Sequence, residues 1–158
     1  MRNSSLVEGP CADNLPGLKP VAEAVGYRGR IPEVRSQMNS PIRSYQDLEV
    51  YKKSYQLALE VHQVSLSFPE FERYETGRQL RDASKSITVN IAEGYGRRSS
   101  VLDFKRFLVM AHSSCDEVKV WLQFCKDLGY ISQEQWEELF NRYDEVGKML
   151  NGLRERWK

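Results

Sequence analysis

The sequence has no long apolar run and almost no net charge, and each of these shortages excludes a class of function. No stretch of about 18 apolar residues occurs and no charged-then-apolar leader opens the chain, so we expect neither a membrane span nor a signal peptide. The resulting prediction is a cytoplasmic protein without a membrane partner. The formal charge of +1 over 158 residues argues against a general polyanion binder, because strong phosphate binding usually shows as a clear basic excess.

Patterns typical of metal binding and catalysis are also missing. His62 and His112 are the only histidines, and neither stands in a His-x-x-x-His spacing. The cysteines show no Cys-x-x-Cys spacing and are interpreted as reduced thiols. The chain contains no Gly-x-x-x-x-Gly-Lys phosphate loop and no Gly-x-Ser-x-Gly nucleophile motif. We therefore expect a protein that is not an enzyme and that holds no metal or other cofactor.

Prolines divide the chain into two parts. Five of the six lie within residues 1–43, where no apolar periodicity lasts two helical turns. Such a segment buries too little apolar surface to offset the entropy of ordering it, so residues 1–43 are predicted to be a disordered N-terminal tail. Met38 is a candidate for the true start codon, an alternative that the sequence leaves open. Residues 44–158 are predicted to form one domain.

Four segments of this domain repeat their apolar residues with the period of an α-helix. The first spans about 45–67, the second continues to about 93 after an irregular turn before Thr76, the third starts at Ser100, and the fourth runs from Ser132 to the end of the chain. N-capping patterns precede three of them: Ser67-x-x-Glu70, Ser100-x-x-Asp103 and Ser132-x-x-Gln135. Because short connections make neighbouring helices antiparallel, the predicted fold is all-α, an antiparallel up-down-up-down four-helix bundle.

Three of the predicted helices each carry one inner apolar stripe. The residues are Leu80, Ala83, Ile87, Asn90 and Ile91 on the second, Phe104, Phe107, Leu108, Ala111, Cys115, Val118, Leu122 and Cys125 on the third, and Trp136, Leu139, Phe140, Tyr143, Val146, Leu150 and Leu153 on the fourth.

The first predicted helix carries two apolar stripes, although a bundle helix needs only one. We assign one stripe to the core: Leu48, Tyr51, Tyr55, Leu59, His62 and Leu66. The opposite stripe, together with residues beside the main stripe of the third helix, is then predicted to form an oligomer interface. These interface residues are Val50, Leu57, Val61, Val64, Phe68, Met110, Trp121 and Phe124. The alternative is a wide core arc with scattered surface apolar residues.

Charge is distributed unevenly along the domain. Residues 73–106 contain eight Lys/Arg and four Asp/Glu, whereas residues 116–145 contain three Lys/Arg and eight Asp/Glu. Two unlike patches suit a head-to-tail contact between subunits, which closes into a ring when the rotation permits. The candidate nucleic-acid contacts are Arg78, Arg81, Lys85, Arg97 and Arg98. The competing interpretation, given equal weight, is a solvated helix face or ion pairing with a neighbouring subunit.

Asn90 and Gly94 are interpreted as structural residues of the second helix. A buried amide must find hydrogen-bond partners or cost about 1–3 kcal/mol, so Asn90 is expected to bond across the bundle or to carbonyls near the helix end. Gly94 lies one turn later and permits a close approach between backbones.

Residues 79–97 read Gln-Leu-Arg-Asp-Ala-Ser-Lys-Ser-Ile-Thr-Val-Asn-Ile-Ala-Glu-Gly-Tyr-Gly-Arg. Asp-Phe-Lys-Arg-Phe-Leu follows from Asp103, and Ala-His-Ser-Ser-Cys-Asp-Glu-Val follows from Ala111. With these motifs the chain resembles the bacterial four-helix bundle proteins first noticed as open reading frames in intervening sequences of 23S ribosomal RNA genes. The resemblance extends from about Ile42 to the C-terminal helix. It implies a homopentameric ring with a central channel, and a distant similarity to the accessory protein of diversity-generating retroelements, which binds a reverse transcriptase and nucleic acid.

The leading hypothesis is a non-enzymatic homo-oligomeric adaptor, pentameric by resemblance, that contacts RNA or a nucleic-acid-associated protein. The alternative is a protein-only scaffold or accessory factor whose basic residues are used in subunit contacts. A small hydrolase or metal-dependent enzyme is the third class, and no motif favours it.

Overall fold

Five α-helices and one 3₁₀ turn make up residues 42–158, the part of the chain that this computed structural model describes. After the turn at Tyr45–Asp47, the helices are α1 (Glu49–Leu66), α2 (Glu70–Tyr74), α3 (Thr76–Gly96), α4 (Val101–Asp127) and α5 (Gln133–Arg156). Within these residues there is no β-strand. The predicted disorder of the tail and the alternative start at Met38 concern residues outside the described range.

The four long helices pack as an antiparallel bundle, as predicted. Helices α1 and α3, α3 and α4, α4 and α5, and α1 and α5 lie side by side. In each of these pairs, residues early in one helix meet residues late in its neighbour. The contacts are Ser65–Arg81, Ser86–Ser114, Gly94–Phe107, Lys119–Asp144, His112–Asn151, Lys53–Glu145 and Glu60–Arg142. Helices α3 and α5 therefore lie diagonally across the bundle, as do α1 and α4.

The core contains the predicted inner stripes of α3, α4 and α5. Ile87 of α3, Leu122 of α4 and Val146 of α5 are completely buried, and their neighbours along each stripe are buried or half-buried. A buried stripe at the helical period is what the inner face of a bundle helix requires. The predicted inner faces of α3, α4 and α5 are therefore confirmed.

Helix α1 buries the stripe that was predicted to form an interface, and of the predicted core stripe only Leu48 is fully buried, at 4% exposure. Val50, Leu57 and Val61 are at most 4% exposed, whereas Tyr55 and Leu59 are 46% and 45% exposed. The remaining members of the predicted interface stripe, Val64 and Phe68, also pack in the core. The assignment of Val50, Leu57, Val61, Val64 and Phe68 to an oligomer interface was therefore wrong.

The physical reason lies in the residues that flank the two stripes of α1. The buried stripe is bordered by Ser54, Ala58 and Ser65, which are small enough to bring α1 close to its neighbours. The Ser54 and Ser65 hydroxyls donate to the carbonyls of residues 51 and 62, so their burial leaves no donor unpaired. The other stripe is rich in tyrosine, whose hydroxyl group is best hydrated at a surface.

Two of the three predicted capping patterns form. The Ser100 hydroxyl accepts the Asp103 N–H at 3.2 Å, and Ser132 and Gln135 make a reciprocal capping box. The Ser67 pattern was wrong, because the Ser67 hydroxyl donates instead to the Val64 carbonyl at 2.7 Å. Pro69 occupies the N-cap position of α2 and offers no side-chain acceptor.

Asn90 and Gly94 join α3 to α4. The Asn90 amide donates to the Ser86 carbonyl and hydroxyl, and that hydroxyl in turn meets the Ser114 hydroxyl of α4 at 3.0 Å. A Cβ added at Gly94 would lie 2.6 Å from the Phe107 Cβ. The two helices therefore approach closely through one hydrogen-bonded chain and one residue without a side chain.

Candidate functional site

The five predicted nucleic-acid contacts are spread along the whole of α3 and the loop after it. Arg78 lies near the first turn, whereas Arg97 and Arg98 follow the last turn. At the rise of an α-helix, Arg78 and Arg97 are separated by about 28 Å along the axis. The structure therefore does not gather the five cations into one compact patch.

Arg81 is held in the fold and is not presented on a free outer face. Its guanidinium donates to the Ser65 hydroxyl at 2.8 Å and to the Arg73 carbonyl at 2.9 Å, and the side chain is half-buried. Arg78 nearby is exposed, but it donates to the Tyr74 carbonyl at 3.3 Å and lies 3.9 Å from Asp82. Both arginines hold short helix α2 against α3, which gives them a structural role.

Lys85 lies midway along α3 and is exposed. It stands near the partly buried His62 of α1. Burial lowers the pKa of His62, and the positive charges of Lys85 and Arg81 lower it further. This imidazole is therefore held in its neutral form, which adds no positive charge to the surface at neutral pH.

Arg97 and Arg98 are exposed and rest on aromatic rings. The Arg97 guanidinium lies 5.3 Å from the centroid of Phe107, and that of Arg98 lies 4.2 Å from the centroid of Tyr95. Arg98 also donates to the Tyr95 carbonyl at 3.0 Å. Cation–π contacts restrict a guanidinium without neutralising its charge, so these two cations remain available to an anion.

The outer faces of α1 and α4 carry exposed apolar side chains. On α1 these are Tyr55, Leu59 and Leu66, and on α4 they include Leu102, Val109, Val120 and Phe124. Of the predicted interface residues on α4, Met110 and Phe124 are about half exposed, while Trp121 packs against the core. We call the exposed apolar side chains on the outer face of α1 the α1 row, and those on the outer face of α4 the α4 row. Sequence reasoning placed the α1 row in the core, although its one tyrosine, Tyr55, was a signal for the surface.

Both cysteines of residues 42–158 are buried, at positions 115 and 125. Burial raises the pKa of the Cys115 and Cys125 thiols to about 12, so both are protonated at neutral pH. Over the same range, no three His, Cys, Asp or Glu residues are grouped as metal ligands would be. No helix of the described part is both long and apolar enough to cross a membrane.

Comparison with known proteins identifies the family. The model of the 23S rRNA-intervening sequence proteins matches residues 46–152, which include nearly the whole bundle. The chain belongs to this family.

One solved relative of this 23S rRNA-intervening sequence protein shares its fold. It is a crystal structure from Bacteroides thetaiotaomicron, described as a protein with unknown function from the S23 ribosomal protein family. The TM-score is 0.61 at 26% identity, and the match covers 67% of this chain and 95% of that one. Among curated proteins, none matches. The family resemblance inferred from motifs within residues 79–118 is thus confirmed.

Proposed function

We propose that this protein is a non-enzymatic adaptor that assembles with copies of itself and contacts RNA or another nucleic acid. The observation that carries the self-assembly is the pair of apolar rows on α1 and α4, which lie on opposite sides of one subunit. A subunit with two different apolar faces suits a head-to-tail contact, in which the α1 row of one copy packs against the α4 row of the next copy.

Burial of the rows supplies the driving force. Removing a half-exposed Leu, Val or Phe side chain from water contributes about 1 kcal/mol, at about 25 cal/mol per Å² of apolar surface. Several such side chains per row are needed to offset the entropy of association. A closed ring satisfies both rows of every subunit, and the family resemblance suggests five subunits.

The unlike charges of residues 73–106 and 116–145 do not by themselves define two opposite faces of the subunit. Residues 73–106 run the whole length of α3, and residues 116–145 cover only the late half of α4 and the early half of α5. The basic segment therefore extends along the whole bundle axis, whereas the acidic segment is confined to one end, so the two do not form matching patches on opposite sides of the subunit. In our proposal the apolar rows make the subunit contact, and exposed cations such as Lys85 and Arg97 stay free for another partner.

The test of self-assembly is light scattering on the full chain and on two variants, Leu59→Glu and Val120→Glu. Each substitution places a charge in one row, where burial against another subunit would cost several kcal/mol. We expect the wild type to be an oligomer and each variant to shift to a smaller particle with unchanged helicity. Gln56→Glu is the control, because it adds the same charge to the side of α1 that faces α5. A monomeric wild type would overturn the proposal.

The same measurement separates the adaptor from a protein-only scaffold. With a mixed RNA pool at low salt, an adaptor particle gains mass, and the gain is reversed at high salt as counterions compete for the phosphates. An oligomer whose mass does not respond to RNA would favour the scaffold.

A further inference from the structure

Three separate segments of the chain meet at one end of the bundle: residues 42–49, 93–106 and 153–158. An aromatic cluster joins them. The Trp157 ring lies 4.5 Å from Phe104 and 6.4 Å from Tyr95, centroid to centroid, and the Tyr95 hydroxyl donates to the Ile42 carbonyl at 3.2 Å. The start of the domain, the loop between α3 and α4, and the last turn of α5 therefore form one continuous surface.

This end of the bundle is basic and the opposite end is acidic. The three segments contain eight Lys/Arg and five Asp/Glu, and we call this end the basic pole. The opposite end, formed by residues 66–80 and 125–138, contains three Lys/Arg and seven Asp/Glu, and we call it the acidic pole. The two regions are of nearly equal length, so the contrast reflects charge and not size.

The cations of the basic pole are not neutralised by the fold. Among residues 42–158, none of the eight forms an ion pair with an Asp or Glu side chain. One of the pole's carboxylates is turned to the backbone, since Asp47 accepts the N–H groups of Arg43 and Ser44 at 2.9 and 2.8 Å. At the acidic pole, by contrast, Arg78 and Lys126 lie beside carboxylates.

None of the four aromatic rings of the basic pole is fully exposed. Phe104 is completely buried and Tyr95 is 5% exposed, whereas Tyr45 and Trp157 are half-buried and pack against the rings of Tyr51 and Phe104. The surface thus offers charge without a fully exposed ring on which a base could stack. Such a surface recognises a phosphate backbone and has little means of reading base identity.

We propose that the basic pole is the nucleic-acid site, and that it binds the phosphate backbone of RNA with little sequence preference. This inference rests on the proposed adaptor function and assigns its contact to the bundle end, away from Arg78 and Arg81. In a cyclic assembly all basic poles lie at the same height around the ring, so a strand that spans several copies binds more tightly through avidity.

The test is fluorescence anisotropy of the full chain with a labelled single-stranded oligouridine, measured over a series of salt concentrations. The basic-pole variant is Arg97→Glu with Arg106→Glu, and the matched control at the acidic pole is Arg73→Glu with Arg78→Glu. All four arginines are exposed and both pairs change the net charge equally. A second basic-pole variant, Arg43→Glu with Lys158→Glu, alters two other segments in case the first pair disturbs folding.

We expect each basic-pole variant to weaken binding at least tenfold at low salt, and the control to weaken it less than threefold. Loss of two phosphate contacts also lowers the slope of log affinity against log salt by about 1.4, since each contact to a single strand contributes about 0.7.

Equal losses in the control and basic-pole variants would overturn the assignment of the site while leaving the adaptor function standing. Basic-pole variants that bind oligouridine as tightly as the wild type would also overturn the assignment of the site, and they too would leave the adaptor function standing. A wild type that binds no oligouridine at low salt would overturn both proposals, and binding of labelled polyglutamate instead would indicate an acidic protein partner.

Discussion

At the scale of single residues, one missing side chain sets the spacing of two helices. Gly94 faces Phe107 and Phe104 of α4, and an added Cβ would lie 2.6 Å from the Phe107 Cβ and 3.1 Å from the Phe104 ring. Real Cβ atoms do not approach a neighbour that closely, so any larger residue must push α3 and α4 apart. Gly96, two residues later, has no neighbouring atom within 4 Å of its added Cβ.

Gly94→Ala is therefore expected to lower the free energy of unfolding by about 1–3 kcal/mol, the usual cost of overpacking a close contact. Gly96→Ala is the control, and we expect it to be neutral or to stabilise by up to about 1 kcal/mol, because alanine loses less backbone entropy in a helix. Urea denaturation of both variants measures the difference. Equal stabilities for the two would contradict the close approach at Gly94.

Arginines of this chain differ in role although they share one chemistry. Arg81 donates to the Ser65 hydroxyl and the Arg73 carbonyl within the subunit, whereas Arg97 only rests on an aromatic ring. Both residues look alike in the sequence, where each is one of several cations in a basic stretch. Their roles separate only when their surroundings are known.

At the scale of secondary-structure elements, side-chain caps decide where two of the helices begin. Ser132 and Gln135 satisfy each other's backbone N–H groups at the start of α5, at distances of 3.1 and 3.0 Å. Ser67 has the same sequence signature but bonds to the carbonyl of residue 64 at the end of α1. Pro69 makes the difference, because it occupies the N-cap position of α2 in place of Ser67 and has no side-chain acceptor for the free N–H groups of the first turn.

Ser132→Ala should lower the free energy of unfolding by about 1 kcal/mol, because the α5 N-terminus loses its acceptor. Ser67→Ala removes the same hydroxyl group from another helix boundary, and we expect it to lower the free energy of unfolding by less than half as much. Thermal or urea unfolding followed by circular dichroism compares the two variants. A larger loss for Ser67→Ala would mean that the cap at Ser132 is not the stronger contact.

At the scale of the whole molecule, one buried hydrogen bond crosses the centre of the bundle. The Ser84 hydroxyl of α3 and the Tyr143 hydroxyl of α5 are 2.7 Å apart, and both residues are completely buried. Burial raises the pKa of Tyr143 well above its usual range, so its hydroxyl stays protonated and can donate. The bond joins the two helices that lie diagonally, and it therefore specifies how all four pack together.

Tyr143→Phe and Ser84→Ala should each lower the free energy of unfolding by about 1–3 kcal/mol, because each leaves a buried hydroxyl without its partner. The double variant should cost less than the sum, by about 1 kcal/mol, since no hydroxyl is then left unpaired. A double-mutant cycle in urea measures this coupling. Strictly additive losses would show that the two hydroxyls do not act together.

The two poles also exist only at this scale. Arg43, Arg97 and Lys158 are far apart in sequence, and they reach the same end because successive helices run in opposite directions. The antiparallel topology thus converts an uneven charge distribution along the chain into a separation of charge along the bundle axis.

Local patterns in the amino-acid sequence are enough to predict the number of long helices, the inner faces of α3, α4 and α5, two of the caps and the family. Each of these depends on local periodicity or on residues three or four positions apart, which a single helix already expresses. Tertiary packing selects which stripe of α1 is buried, because both stripes satisfy the helical period and the fit of Ser54, Ala58 and Ser65 against other helices favours one of them. It likewise decided which arginines are free and where the cations gather, because those properties arise from contacts between residues distant in the chain.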